Sequence, residues 1–259
     1  MSEAALAGYG VLVTRPAGQA GELADAIADA GGRPIRFPVI DIVAAAAGDI
    51  SKAFAALPGA DIIVFVSRNA VTFGLTAIDT GNALIAVVGP ATRAAVENSG
   101  WHVDIAPEQG SDSEQLLAHP YLQDVAGKAI IIIRGENGRE KLADTLRARG
   151  AMIHYLPVYQ RKIHAASAAD LAVLEKSWST GKIDCVTVMS VETLHNLLQL
   201  LSPACRKLLV DTPLVAPSTR VIQTAEKSIP GISTVLAPGP QAADIISALI
   251  ALRQSGQTK

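Results

Sequence analysis

Hydrogen-bond donors recur at one kind of place in this chain: Arg15, Ser67, Thr92, Arg134, Ser190, Ser218 and Thr219 all fall at predicted strand-to-helix turns. At such turns the first N–H groups of a helix lack intrahelical partners, and the positive end of the helix dipole favours anions. Together these residues would suit a polyanionic ligand. Taken singly, a serine or threonine there is an ordinary N-cap worth about 1 kcal/mol, and only the recurrence in both halves of the sequence argues for more. The run Arg134-Gly135-Glu136-Asn137-Gly138 sets two glycines between a strand and a helix. It either admits a carboxylate or phosphate close to the backbone or serves as a plain turn.

Tyr159 is the candidate proton donor. A phenol, with an ordinary pKa of about 10, keeps its proton at neutral pH and can donate it or a hydrogen bond. The alternative is a half-buried strand tyrosine. Other chemistries lack their signatures. The chain has neither a G-x-G-x-x-G fingerprint nor a G-x-x-x-x-G-K-[ST] loop, so nothing points to a nucleotide. Its five histidines, at 102, 119, 154, 164 and 195, show no i, i+4 pairing and no H-E-x-x-H, so no metal site is expected. No G-x-S-x-G elbow suggests a hydrolase. Cys185, in a predicted strand, and Cys205, in a loop or helix end, have neither redox nor metal-ligand spacing and are expected to be reduced and structural.

The elements that position these groups occur twice. Residues 6–40 overlay residues 125–159 at a constant offset of 119 without a gap, with identities at Ala7/Ala126, Gly8/Gly127, Arg15/Arg134, Leu23/Leu142, Ala24/Ala143, Asp25/Asp144, Gly31/Gly150, Pro38/Pro157 and Val39/Val158. Each copy reads strand, turn, helix, strand: a helix over 22–30 and a strand over 33–37 in one, strands over 129–133 and 151–156 around a helix over 136–149 in the other. Tyr159 stands where the first copy has Ile40, so the copies part at the gain of a hydroxyl. Buried strands over 61–66 and 184–189 lead into Ser67 and Ser190. Gly89-Pro90-Ala91-Thr92-Arg93 matches Ala216-Pro217-Ser218-Thr219-Arg220. Last helices are expected over 113–124 and 241–254. Such alternation implies parallel sheets with right-handed crossovers and ligands at the carboxyl ends of the strands, and two copies imply two folding units with a ligand between them.

Composition agrees. The chain has 259 residues, which suits two domains of roughly 120 residues each. Apolar residues make up 49% and aromatics only 4%, the aliphatic balance of parallel sheets covered by helices on both faces. The longest apolar stretches, 62–66 and 129–133, fall far short of the roughly 20 residues that span a bilayer, so no membrane segment is expected. Glu3 and the breaks at Gly8 and Gly10 argue against a secretory signal, which leaves a cytoplasmic protein. A net charge of −2 gives no general attraction to nucleic acid or to an anionic membrane.

Val11-Leu12-Val13-Thr14-Arg15-Pro16 with Gln19, residues 61–67 with Asn69-Ala70-Val71, Val88-Gly89-Pro90-Ala91-Thr92, Arg134-Gly135 with Arg139-Glu140, and Val158-Tyr159 together strongly resemble the uroporphyrinogen-III synthase family. The similarity runs over nearly the whole chain, and its specificity lies in the order and spacing of motifs that are individually soft. The resemblance implies an α/β protein of two doubly wound parallel-sheet domains joined by a two-stranded antiparallel ladder, with the substrate in the cleft between them. Mapped here, 1–38 with 166–259 would form the first domain, 51–155 the second, and 39–50 with 156–165 the ladder, so that each domain mixes both copies. The implied reaction is the cofactor-free, metal-free cyclisation of hydroxymethylbilane to uroporphyrinogen III in tetrapyrrole (haem) biosynthesis, with loss of water and inversion of ring D through a spiro intermediate.

By the same resemblance Tyr159 assists departure of the hydroxyl, and Thr92, Ser190, Ser218 and Thr219 contact substrate, joining Arg15, Ser67, Arg134 and Gly135 as the candidate binding set. A monomer is implied, in transient contact with the preceding pathway enzyme. The chain departs from the family pattern after Ser190, where Val191-Glu192 replace the small or polar residues usual there. The competing class is a non-catalytic two-domain protein that closes on a small anionic ligand.

Overall fold

The aliphatic runs become short strands, and Ser67, Ser190 and Ser218 cap the helices that follow three of them while Pro90 opens the helix after a fourth. The computed structural model describes residues 4–108, 110, 113–138 and 140–256. In chain order come β1 (Gly10–Val13), α1 (Gly21–Asp29), β2 (Arg33–Arg36), β3 (Ile40–Ala44), α2 (Ala47–Ala55), β4 (Ile62–Phe65), α3 (Arg68–Gly74), β5 (Leu84–Val87), α4 (Pro90–Asn98) and α5 (Ser113–Leu117). There follow β6 (Ala129–Gly135), α6 (Lys141–Ala148), β7 (Met152–Ile163), α7 (Ala168–Ser179), β8 (Cys185–Thr187) and α8 (Val191–Leu200). The last are α9 (Pro203–Val210), β9 (Leu214–Ala216), α10 (Thr219–Ser228), β10 (Thr234–Leu236) and α11 (Ala242–Gly256).

The chain divides into two compact units, Met1–Asp41 with Lys162–Lys259, and Ile42–Arg161. The first holds a five-stranded sheet ordered β10-β9-β8-β1-β2, parallel throughout. The other sheet runs β3-β7-β6-β4-β5 and is parallel from β7 to β5. A parallel bridge from Ala86 to Ile105 adds a further neighbour beyond β5. Strand β3 meets β7 antiparallel: the His164 N–H donates to the Val39 carbonyl at 3.1 Å and the Ala45 N–H to the Val158 carbonyl at 3.0 Å, so partners retreat along one strand as the other advances.

The duplication survives at atomic level. Gly10 to Val13 pair in register with Arg33 to Arg36, and the equivalent Ala129 to Ile132 pair in the same register with Met152 to Tyr155. Gly8 and Gly127 have φ of 71° and 74°, Gly31 and Gly150 of 82° and 86°, and each pair is tied by one N–H to carbonyl bond. Positive φ at both places costs glycine nothing and most other residues dearly, which explains why these identities persist. Each sheet combines strands of both copies: β1 and β2 lie beside β8, β9 and β10, while β6 and β7 lie beside β4 and β5.

Alternate residues of the central strands feed two cores. In the second unit Ile63, Phe65, Ile131 and Ile133 pack on one face, while Ile62, Val64, Ile130 and Ile132 pack on the other. A sheet buried on both faces has no polar alternation, and its strands read as continuous apolar runs. In the first unit Leu6, Val11, Val13, Leu23, Ile27, Cys185, Val215, Ile245 and Leu249 form one cluster.

Three expected elements differ. The helix expected over 136–149 starts only at Lys141, because Gly138 lies against Arg134 in a loop: a Cβ on Gly138 would stand 2.5 Å from Arg134 Nη2. The helix expected over 113–124 ends at Leu117, since Pro120 supplies no N–H and holds His119 extended at φ −61°, ψ 134°; a short 3₁₀ turn, Pro120–Leu122, follows. Within the stretch 39–50, strand β3 gives way at Ala44 to α2. Cys205 lies inside α9, and both cysteines are buried free thiols. Among the described residues no helix is long and apolar enough to cross a membrane.

Candidate functional site

Tyr159 sits on β7 with its side chain turned inward, and a local irregularity puts it there. Arg134 of β6 pairs with Pro157, but the next residue, Gly135, pairs with Tyr159, so β7 carries an extra residue at that step. Strict alternation would send Val158 and Tyr159 to opposite faces; the bulge brings both into the same buried cluster, with Tyr159 only 6% exposed. Gly135 makes room for the ring. A Cβ there would come within 2.8 Å of Tyr159 Cε2. The Phe73 ring lies tilted at 50° to that of Tyr159, with centroids 6.0 Å apart.

The Tyr159 hydroxyl lies 3.2 Å from Ser67 Oγ. Ser67 is the N-cap of α3, and its Oγ accepts the Ala70 N–H at 3.1 Å. Either hydroxyl can donate in this pair; when serine donates to the phenol oxygen, the phenol proton is free for another acceptor. Both residues line a cavity of about 400 Å³ together with Arg134, Gly135, Tyr155, Asn137, Ser113 and Arg161. All of its lining residues belong to the second unit.

Arg134, the penultimate residue of β6, is almost fully buried, and its Nη1 donates to Glu140 Oε1 at 2.8 Å. Its guanidinium lies over the Tyr155 ring, 4.7 Å from the centroid, and the Tyr155 hydroxyl donates to the other oxygen of Glu140. The hydrogen bonds from Tyr155 and then Arg134 hold the Glu140 carboxyl below the usual carboxylate range. Burial first, and the bond to Glu140 second, push the Tyr155 phenol up. Thr92, in the first turn of α4, is buried, and its N–H donates to the Gly89 carbonyl at 3.0 Å.

The remaining candidates belong to the first unit. Arg15 follows β1 and its Nη2 donates to the Pro240 carbonyl at 2.8 Å. Ser190 and Ser218 are the N-caps of α8 and α10, accepting the N–H groups of Thr193 and Val221. Thr219 is the exposed first residue of α10. Beneath Arg15 and Ser190, Thr14 Oγ1 donates to the Thr187 carbonyl at 2.6 Å and Thr187 Oγ1 to the Leu12 carbonyl at 3.0 Å, binding the ends of β1 and β8.

Of the nine candidates, the cavity therefore gathers Ser67, Arg134, Gly135 and Tyr159. Sequence reading missed Tyr155, Glu140 and Arg161 as neighbours of that group. The signal available was the polar end of an otherwise apolar strand, where tyrosines stand at 155 and 159 and arginine at 161. Among the described residues no group of three or more His, Cys, Asp or Glu is placed to hold a metal ion.

The sequence model of the family described as "Uroporphyrinogen-III synthase HemD" matches residues 21–247. Uroporphyrinogen-III synthase of Escherichia coli strain K12 is 30% identical over 198 residues, covering 74% of this chain and 79% of that protein. The Salmonella typhimurium synthase is 32% identical over 73% of this chain and 79% of its own length. In fold, a uroporphyrinogen-III synthetase of Helicobacter pylori superposes with a TM-score of 0.63 at 12% identity, over 94% of this chain and 99% of that one. A uroporphyrinogen III synthase of Thermus thermophilus gives 0.60 at 16%, over 95% and 99%.

Proposed function

We propose that this chain, which belongs to the uroporphyrinogen-III synthase family, converts hydroxymethylbilane into uroporphyrinogen III, with Tyr159 as proton donor to the departing hydroxyl. The observation that supports this role is the Tyr159 hydroxyl, 3.2 Å from Ser67 Oγ in a cavity walled by Arg134. The pyrrole nitrogen lone pair breaks the terminal C–O bond, and the phenol proton turns the leaving group into water. The resulting carbon electrophile is attacked by the substituted carbon of ring D, giving a spiro intermediate that fragments and recloses with the ring inverted. The proton lost as the last ring regains aromaticity balances the one given to the hydroxyl, so the net change is loss of water. The substrate supplies its own electrons, and the reading invokes no cofactor.

The protein's share is mostly geometric. Unassisted closure gives the non-inverted isomer, so the chain must hold a flexible eightfold carboxylate in the inverting arrangement. Arg15, Ser67, Thr92, Arg134, Gly135, Ser190, Ser218 and Thr219 are the proposed carboxylate contacts, at helix N-termini that favour anions. On the same proposal the protein is a cytoplasmic monomer that takes its unstable substrate from the preceding pathway enzyme.

The test is an isomer assay: hydroxymethylbilane incubated with and without the protein, then oxidised and the porphyrins separated. Isomer III should dominate with protein present, and a chelator should leave the yield unchanged. Isomer I alone from a folded sample would overturn the assignment.

A further inference from the structure

Glu140 is the chain's own carboxylate held by a receptor that any carboxylate would fit. One oxygen accepts from Arg134 Nη1 at 2.8 Å and the other from the Tyr155 phenol. Behind them the Tyr155 ring carries the Arg134 guanidinium on one face, with Arg147 at 5.4 Å from the ring centroid. A guanidinium beside a phenol offers two convergent donors to the two oxygens of one carboxylate. Receptor and occupant differ in enclosure: the Arg134 side chain is 7% exposed on an interior strand, whereas that of Glu140 is 51% exposed at the start of α6, open to exchange with water. A buried guanidinium is costly to leave without an anionic partner, and Glu140 supplies one until another arrives. Arg134 and Tyr155 both line the cavity that contains Tyr159.

We infer that Arg134 and Tyr155 form a subsite for one peripheral carboxylate of the ligand, and that Glu140 is its internal competitor, displaced to water when that carboxylate enters. The ligand's identity here rests on the function proposed above; the subsite does not. The exchange conserves charge, one carboxylate leaving as another enters, and moves no proton. It also weakens apparent affinity, because only the fraction of molecules with Glu140 released is ready to bind.

Uroporphyrin III, the stable octacarboxylate obtained by oxidising the proposed product, is a suitable fluorescent probe. Its dissociation constant should be measured for the native chain, Glu140→Ala and Glu140→Gln, with thermal melts to confirm folding. Loss of the competitor should tighten binding about 2- to 5-fold at low salt, the range for a partly exposed ion pair, with a smaller gain at high salt. Glu140→Gln keeps the shape of the turn and so decides the matter if the alanine variant loosens it. In the Glu140→Ala background, Tyr155→Phe should give back part of the gain. Equal or weaker binding in both folded variants would overturn the subsite. Tighter probe binding without any isomer III would leave the subsite standing and overturn the proposed reaction; isomer III with unaltered probe affinity in both variants would do the reverse.

Discussion

Tyr159→Phe removes one oxygen at nearly constant volume. The ring keeps its contacts with Gly135 and Phe73, and the lost hydrogen bond to Ser67 costs roughly 1 kcal/mol, so the fold should survive. General acid catalysis typically contributes about 10²- to 10⁴-fold, and water can partly substitute, so the rate of isomer III formation should fall about 10- to 1000-fold. Full activity in that variant would leave positioning alone as the mechanism. Gly135→Ala attacks the same group from below. Its methyl would meet the ring at 2.8 Å, an overpacking expected to cost roughly 1–3 kcal/mol by thermal melt and to lower activity without touching the hydroxyl. Thr92→Ala and Ser218→Ala should weaken substrate binding more modestly, because the other proposed contacts remain. At this scale the sequence was legible where a residue type implies a single use. The capping serines behave as their positions between strand and helix demand. The pairing of Arg134 with Glu140 and Tyr155 was not legible, since a loop folding back across a strand end leaves no periodic trace.

The elements were legible where periodicity or punctuation is local, and were misread where a contact distant in sequence decides. Strand β6 and helix α1 follow from an aliphatic run and a stop at glycine. The late start of α6 follows from Gly138 lying on Arg134, and the inward turn of Tyr159 from a bulge that breaks the alternation on which strand reading depends. Helix α7 offers a test of a purely local signal. Ser167 and Asp170 form a reciprocal capping box, and the Ser167 hydroxyl, then its backbone N–H, hold the Asp170 carboxyl below its ordinary range. A depressed folded pKa contributes stability that is present above the unfolded value, about 4, and lost as pH falls through the lower folded value. The first-turn amides of α7 should therefore lose hydrogen-exchange protection on acidification, and Asp170→Asn should remove that pH dependence. Unchanged protection down to about pH 2 in the native chain, well below the ordinary carboxylate range, would count against the box as a source of acid sensitivity.

Over the whole molecule, the duplication was plain in the sequence but the exchange of strands was not derivable from it. Each copy carries the same run of strands and crossovers whether it closes on itself or lends its first two strands to the other, because the local connections are alike. Only β3 and β7, where the chain passes out of one unit and back, distinguish the two arrangements. One consequence is an asymmetry in chain continuity: the second unit is a single stretch, Ile42–Arg161, while the first is made of two. The second unit has two clusters of its own, one on each face of its sheet, and contains the whole lining of the cavity. A domain of that size, roughly 120 residues, is large enough to fold alone. Residues 40–163, which keep β3 and β7 entire, should therefore fold cooperatively when expressed by themselves and hold Tyr159 against Ser67. The complement should also fold once residue 41 is joined to residue 162 by a short glycine-serine linker, since the Asp41 carboxylate and His164 Nδ1 are 2.8 Å apart and fix the two ends close together. Circular dichroism and thermal melts check both. If the 40–163 fragment melts without a cooperative transition, its sheet depends on the segments removed, and the two units are one folding system.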